Sequence, residues 1–101
     1  MIQITFCRGA RRVAVEGHAR FAAPGQDIVC AGVSALTQAL IDASADYNGA
    51  VQEKPNGDIF VQCSPDPGRE AECDAMLRAI LLGYRSIASD YPGFVSMGNR
   101  K

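Results

Sequence analysis

The sequence predicts an α+β fold of order β-β-α-β-β-α with a short final strand, two helices packed on one face of a mainly antiparallel sheet. Three observations predict it. Period-2 apolar runs come in two neighbouring pairs, and each pair is followed by a long apolar stripe at helical spacing. The chain has 101 residues, the size of one domain. Two helices with one apolar stripe each are buried most simply by lying on the same sheet.

The elements follow in order. Ile2, Ile4 and Phe6 share one face of a first strand and Gln3 and Thr5 the other. Gly9 and Ala10, flanked by Arg8, Arg11 and Arg12, read as a hairpin turn into a second strand through Val13 and Val15, which runs into Gly17-His18. Residues 19–26 have no period and contain Pro24 and Gly25, so they read as a loop. Asp27 stands at the helix N-cap, and Val29, Val33, Leu36 and Leu40 stripe a helix from Ile28 to about Tyr47, closed by Asn48-Gly49. Ala50–Glu53 and Asp58–Cys63 are strands joined by Lys54-Pro55-Asn56-Gly57, where Asn-Gly is a strong hairpin signal. With Asp66 as N-cap and Pro67 at the first helical position, the second helix carries Cys73, Leu77, Ile80, Leu81, Tyr84 and Tyr91 inward and ends at Pro92-Gly93. Phe94–Met97 supplies the last strand. The domain therefore spans residues 1–97, and Gly98 to Lys101 reads as a frayed tail.

Apolar residues make up 48% and charged residues 21%, a globular balance that excludes a disordered chain. The formal net charge is −1, which argues against strong direct nucleic-acid binding, although four arginines face only Glu16 within the first twenty residues. No run approaches the ~18 uninterrupted apolar residues of a membrane span. The alternating N-terminus lacks the pattern of a signal peptide, so the expected address is cytoplasmic. In that compartment Cys7, Cys30, Cys63 and Cys73 are reduced thiols. With no C-x-x-C pair and a single histidine, neither a metal nor any other cofactor is expected.

The chemistry-bearing residues sort by position. Cys63 and Cys73 fall on core faces and read as small buried hydrophobes, and nothing marks Cys7. Cys30 falls in the first turn of the first helix, where unpaired N–H groups and the helix dipole favour a thiolate. It lies off the core stripe, on a polar strip with Ser34, Thr37 and Gln38. His18, the only histidine, ends the second strand, and an eleven-residue stretch separates it from Cys30, ample to bring imidazole to thiol. Asp27 has two roles open to it, orienting His18 or capping the helix. Weighed against this pair is the plain reading of a packing cysteine and a surface histidine.

A wider pattern bears on that choice. Gly17-His18-Ala19, a Gly-containing loop, and then Gly25-Gln26-Asp27-Ile28-Val29-Cys30-Ala31-Gly32-Val33-Ser34-Ala35 resemble the signature of the ribosomal-processing cysteine proteases (Prp). The resemblance covers residues 1 to about 97 and implies the β-β-α-β-β-α plan, with His18 as catalytic base and Cys30 as nucleophile. It implies a homodimer, and a substrate that is the short N-terminal extension of a large-subunit ribosomal protein, the one numbered twenty-seven, removed in support of ribosome assembly. One departure is Gly32, where alanine is commoner; glycine there costs the helix ~1 kcal/mol relative to alanine and admits a closer neighbour.

The reading that results is a cysteine endopeptidase with a Cys30–His18 dyad. Free N–H groups at the start of the first helix, that of Cys30 among them, are the expected oxyanion donors. Residues 19–26, with Phe21, Pro24 and Gly25, are the expected substrate flap. Two alternatives are a non-enzymatic ribosome-associated RNA-binding module using Arg8, Arg11, Arg12 and Arg20, and a thiol redox sensor built on Cys30.

Overall fold

The structure, a computed structural model, describes residues 1–17 and 26–100, with Gln26, Asp27 and Arg100 by their backbone alone. The chain forms β1 (Ile2–Cys7), β2 (Arg12–Glu16), α1 (Gln26–Ser44) continued by a 3₁₀ turn (Ala45–Tyr47), β3 (Ala50–Glu53), β4 (Ile59–Gln62), α2 (Glu70–Asp90) and β5 (Val95–Arg100). The two hairpins join through β2 and β4, and the sheet runs β3-β4-β2-β1-β5. All pairings are antiparallel except β1 with β5, so the sheet is mixed at one edge.

Register explains the core. Val13 lies opposite Val61 and Phe6, and Ile4 lies between Val15 and Met97, so the alternating apolar residues of four strands converge on one face. Both helices pack there: Val29, Val33 and Leu40 from α1 and Cys73, Leu77 and Tyr84 from α2 are buried with Ile4, Val61 and Val95. The segment Ile28–Tyr47 has a mean hydropathy of 1.5, and its helix is long and apolar enough to cross a membrane by length and composition. In this fold the apolar stripe of that helix is spent on the core. Gly32 admits the neighbour its missing side chain allows, since a Cβ there would stand 3.1 Å from Cδ1 of Ile87 on α2.

Three boundaries differ from the sequence reading. α1 begins at Gln26, so Asp27 lies inside its first turn and not at the N-cap. α2 begins at Glu70, not at Pro67, because Gly68 takes φ +91° and breaks helical continuity. Asp66 instead accepts from the side-chain amide of Asn48 at 3.0 Å, tying the end of α1 to the approach to α2. At the C-terminus, the expected tail from Gly98 is part of β5, which pairs with β1 as far as Cys7↔Arg100. The edge of β1 needed hydrogen-bond partners along its full length, and the chain end supplies them.

Candidate active site

Cys30 is half-buried and Cys63 and Cys73 are buried, the division expected from their faces. Cys30 lines a cavity of about 300 Å³ between α1 and the sheet. Its floor is apolar, from Val15, Val33, Ile41 and Ile59, and Ser34 and Gln38 lie on its α1 wall. Among the described residues, no charged side chain lines it. Gly17, the residue before His18, lines the same cavity, so the end of β2 and the candidate nucleophile share one space although thirteen positions separate them.

The polar strip beside Cys30 is divided by the fold. Ser34 and Gln38 are exposed. Thr37 is 4% exposed; its hydroxyl donates to the carbonyl of Val33 at 2.7 Å and accepts from the Tyr84 hydroxyl at 2.7 Å. Burial raises the Tyr84 phenol above its ordinary pKa, which keeps it a neutral donor in this bridge between α1 and α2.

The helix start also corrects the expected oxyanion donors. In an α-helix beginning at Gln26, the amide of Cys30 bonds the carbonyl of Gln26, four residues back. The free amides are those of Gln26, Asp27 and Ile28. His18, Arg20, Phe21, Pro24 and Gly25, and with them the flap, lie outside the described residues, as does the side chain of Asp27.

Sequence reasoning missed the third wall of the cavity. Gly57 and Ile59 reach it from the β3–β4 hairpin, and the Asn-Gly signal that announces this turn says nothing of where its tip lands. Asp58, between them, accepts a hydrogen bond at 3.0 Å from the backbone N–H of Gly17. Of the arginines near the N-terminus, Arg8 and Arg11 both lie toward Asp74 and Arg12 lies on the other face of the sheet. Arg11 pairs with Asp74 at 2.8 Å, and Arg12 stacks 5.1 Å from the ring centroid of Phe60 on the sheet face away from the helices. Arg8 borders a second, larger groove beside α2. Among the described residues, no group of three or more histidine, cysteine or acidic side chains could hold a metal ion.

The class is that of a cysteine protease, an enzyme that attacks with a thiol. The chain belongs to the family described as Cysteine protease Prp, whose model matches residues 1–96. It is 30% identical to the ribosomal processing cysteine protease Prp of Bacillus subtilis (strain 168), over 90% of each chain. It is 29% identical to the protein of that name from Mycoplasma pneumoniae, over all of this chain and 97% of the other. Among solved structures, it is similar to an essential ribosomal processing protease Prp from S. aureus with a covalently linked product peptide. There the TM-score is 0.80 at 25% identity, covering 99% of this chain and 100% of the other. The same protease with a substrate peptide aligns at a TM-score of 0.83 and 20% identity, with the same coverage, which shows the shared fold.

Proposed function

We propose that this cysteine protease is an endopeptidase that removes a short N-terminal extension from a large-subunit ribosomal protein, with Cys30 as nucleophile and His18 as base. The observation that carries the reading is that Cys30 and Gly17, the residue joined to His18, line one cavity. The names of the relatives, ribosomal processing proteases, supply the substrate class.

The chemistry follows from the residues. The Cys30 thiol gives its proton to the His18 imidazole, and the thiolate sulfur bonds to the scissile carbonyl carbon. The oxyanion meets the free amides at the start of α1, those of Gln26, Asp27 and Ile28. The imidazolium returns its proton to the leaving amine as the C–N bond breaks, and water then hydrolyses the thioester with His18 again as base. Val15, Val33, Ile41 and Ile59 offer an apolar floor to a substrate side chain. With Gln26 in α1, the flap is the stretch 19–25, which closes on the extension and confines the thiol to its proper substrate. The enzyme works in the cytoplasm, as a homodimer.

The test is incubation with synthetic peptides spanning the extension of the host's own ribosomal protein, read by mass spectrometry. One cut is expected, absent in Cys30→Ala and in His18→Ala. Undiminished cleavage by either variant overturns the dyad. Light scattering checks the assembly: twice the chain mass of 10.7 kDa is expected, and a monomer at assay concentration excludes the dimer.

A further inference from the structure

The bond between Gly17 and Asp58 lies where the two hairpins meet. The β2–β4 ladder has its last registered pair at Val15↔Ile59. Beyond it the chains part, and the Gly17 N–H finds the Asp58 carboxylate at 3.0 Å in place of a further backbone rung. Gly17 has little choice of position. It sits at φ +88°, and a Cβ on it would run into the carbonyl oxygen of Met1. The residue is thus held between the start of β1 and the carboxylate of a hairpin 41 positions away.

Asp58 is itself prevented from swinging. Its second carboxylate oxygen accepts from the Asn56 side-chain amide at 3.1 Å, and its own N–H donates to Oδ1 of Asn56 at 3.0 Å. The turn beneath is closed at both ends, with Lys54 N–H bonded to the Asp58 carbonyl and Gly57 N–H to the Lys54 carbonyl, each at 2.8 Å. A carboxylate fixed in this way is an oriented acceptor before any substrate arrives. Its neighbours Gly57 and Ile59 line the cavity that also holds Gly17 and Cys30, so the clamp stands at the wall of the site.

We propose that Asp58 is a positioning residue. By holding the Gly17 amide it fixes the point and direction from which the chain leaves β2 for His18, and through that the approach of the imidazole to the Cys30 thiol. The proposal rests on the reading of His18 as the base. It assigns the β3–β4 hairpin a part in the reaction: the tip is a brace for the chain that carries the base. Proton transfer between two side chains is steep in distance, so loss of the brace falls on turnover and leaves substrate affinity nearly intact.

The test compares Asp58→Ala, Asp58→Ser and Asp58→Asn in cleavage of the extension peptide. Asparagine keeps an oxygen at the same reach for the Gly17 N–H and gives up the bond from the Asn56 amide, alanine has no acceptor, and the serine hydroxyl is too short. We expect kcat to fall about ten-fold or more in the alanine and serine variants, with KM within about two-fold, and to recover to within about three-fold of wild type in Asp58→Asn. Amide exchange at Gly17, read by NMR without any substrate, should quicken about ten-fold in alanine and serine and stay near wild type in asparagine. Unchanged kcat in Asp58→Ala overturns the proposal while leaving the dyad standing. Equal losses in all three variants, or losses that track melting temperature, also overturn it. Full activity in His18→Ala removes the dyad and this proposal together, a result distinct from either.

Discussion

The cavity beside α1 and the groove beside α2 are built from the same two layers, yet they differ in nearly every property that bears on chemistry. The α1 cavity, of about 300 Å³, has no charged lining among the described residues and holds the half-buried thiol of Cys30. The α2 groove, of about 570 Å³, is bordered by Arg8, Asp74, Arg78 and Arg85 over Phe6, Leu77 and Met97, and no cysteine lines it. Its one carboxylate is already committed: the Arg11 guanidinium hydrogen-bonded to Asp74 holds that carboxyl below its ordinary pKa. The larger and more charged cleft is therefore not the one that Cys30 lines. A peptide bond is neutral, and its hydrolysis by a thiol needs a nucleophile, a base and oriented donors in a space that excludes bulk water. The smaller cavity has the Cys30 thiol on its wall, the nucleophile of the function proposed above.

The contrast can be broken most directly at the two clefts. Cys30→Ala should remove peptidase activity by about a thousand-fold or more, since among the described residues no other thiol lines that cavity. Arg78→Ala, in the other cleft, should leave kcat/KM within about two-fold; a ten-fold loss there would mean the α2 groove takes part in the reaction. The thiols give the next largest effect. Cys73 has no exposed surface, so Cys73→Ser should lower unfolding stability by about 2 kcal/mol in urea titrations yet keep the cleavage rate; stability equal to wild type would show that the hydroxyl finds a partner.

Alkali should act on the buried Cys63 thiol. Burial, and then the neighbouring Cys73, push the Cys63 thiol up from 9.0 to about 12. A group whose pKa is raised by folding contributes its full share of stability below its unfolded pKa. Between 9.0 and about 12 the unfolded chain loses this proton and the folded one keeps it, so stability falls as pH rises through that window. Thermal unfolding on either side of pH 9.0 should show the decline, and Cys63→Ala should flatten it; an equal slope in that variant assigns the effect elsewhere. The smallest effect is at the Arg11–Asp74 pair. Asp74 has a depressed pKa, so its contribution is present above the unfolded carboxylate pKa and lost as pH falls through the folded one. With 57% of its side chain exposed, Asp74→Asn should cost about 0.5 kcal/mol or less at neutral pH, and a larger loss would mark the pair as more than a surface contact.

Local periodicity carried most of the fold into view. Ile2, Ile4 and Phe6 alternate because one face of β1 is buried, and the Asn56-Gly57 turn and the α1 stripe can be read for the same reason: each is a property of a few adjacent residues. The α2 start was misplaced because Asp66-Pro67 is a good local start signal, and the left-handed Gly68 overrides it. Within the site, Cys30 could be picked out from the other cysteines by its place off the core stripe. Thr37 could not, since it sits on the same polar strip and is drawn inward only by Tyr84, 47 residues away.

The sequence by itself determined the order of strands and helices and which cysteines, Cys63 and Cys73, turn into the core, since both follow from side-chain spacing along a short stretch of chain. Only the tertiary structure decided that β5 lies parallel to β1 and runs to Arg100, that Cys30 and Gly17 line one cavity, and that Asp58 holds the amide before His18. Those contacts join residues far apart in the chain. Which of them forms is settled when two helices and five strands compete for one buried face, and no local pattern records the outcome.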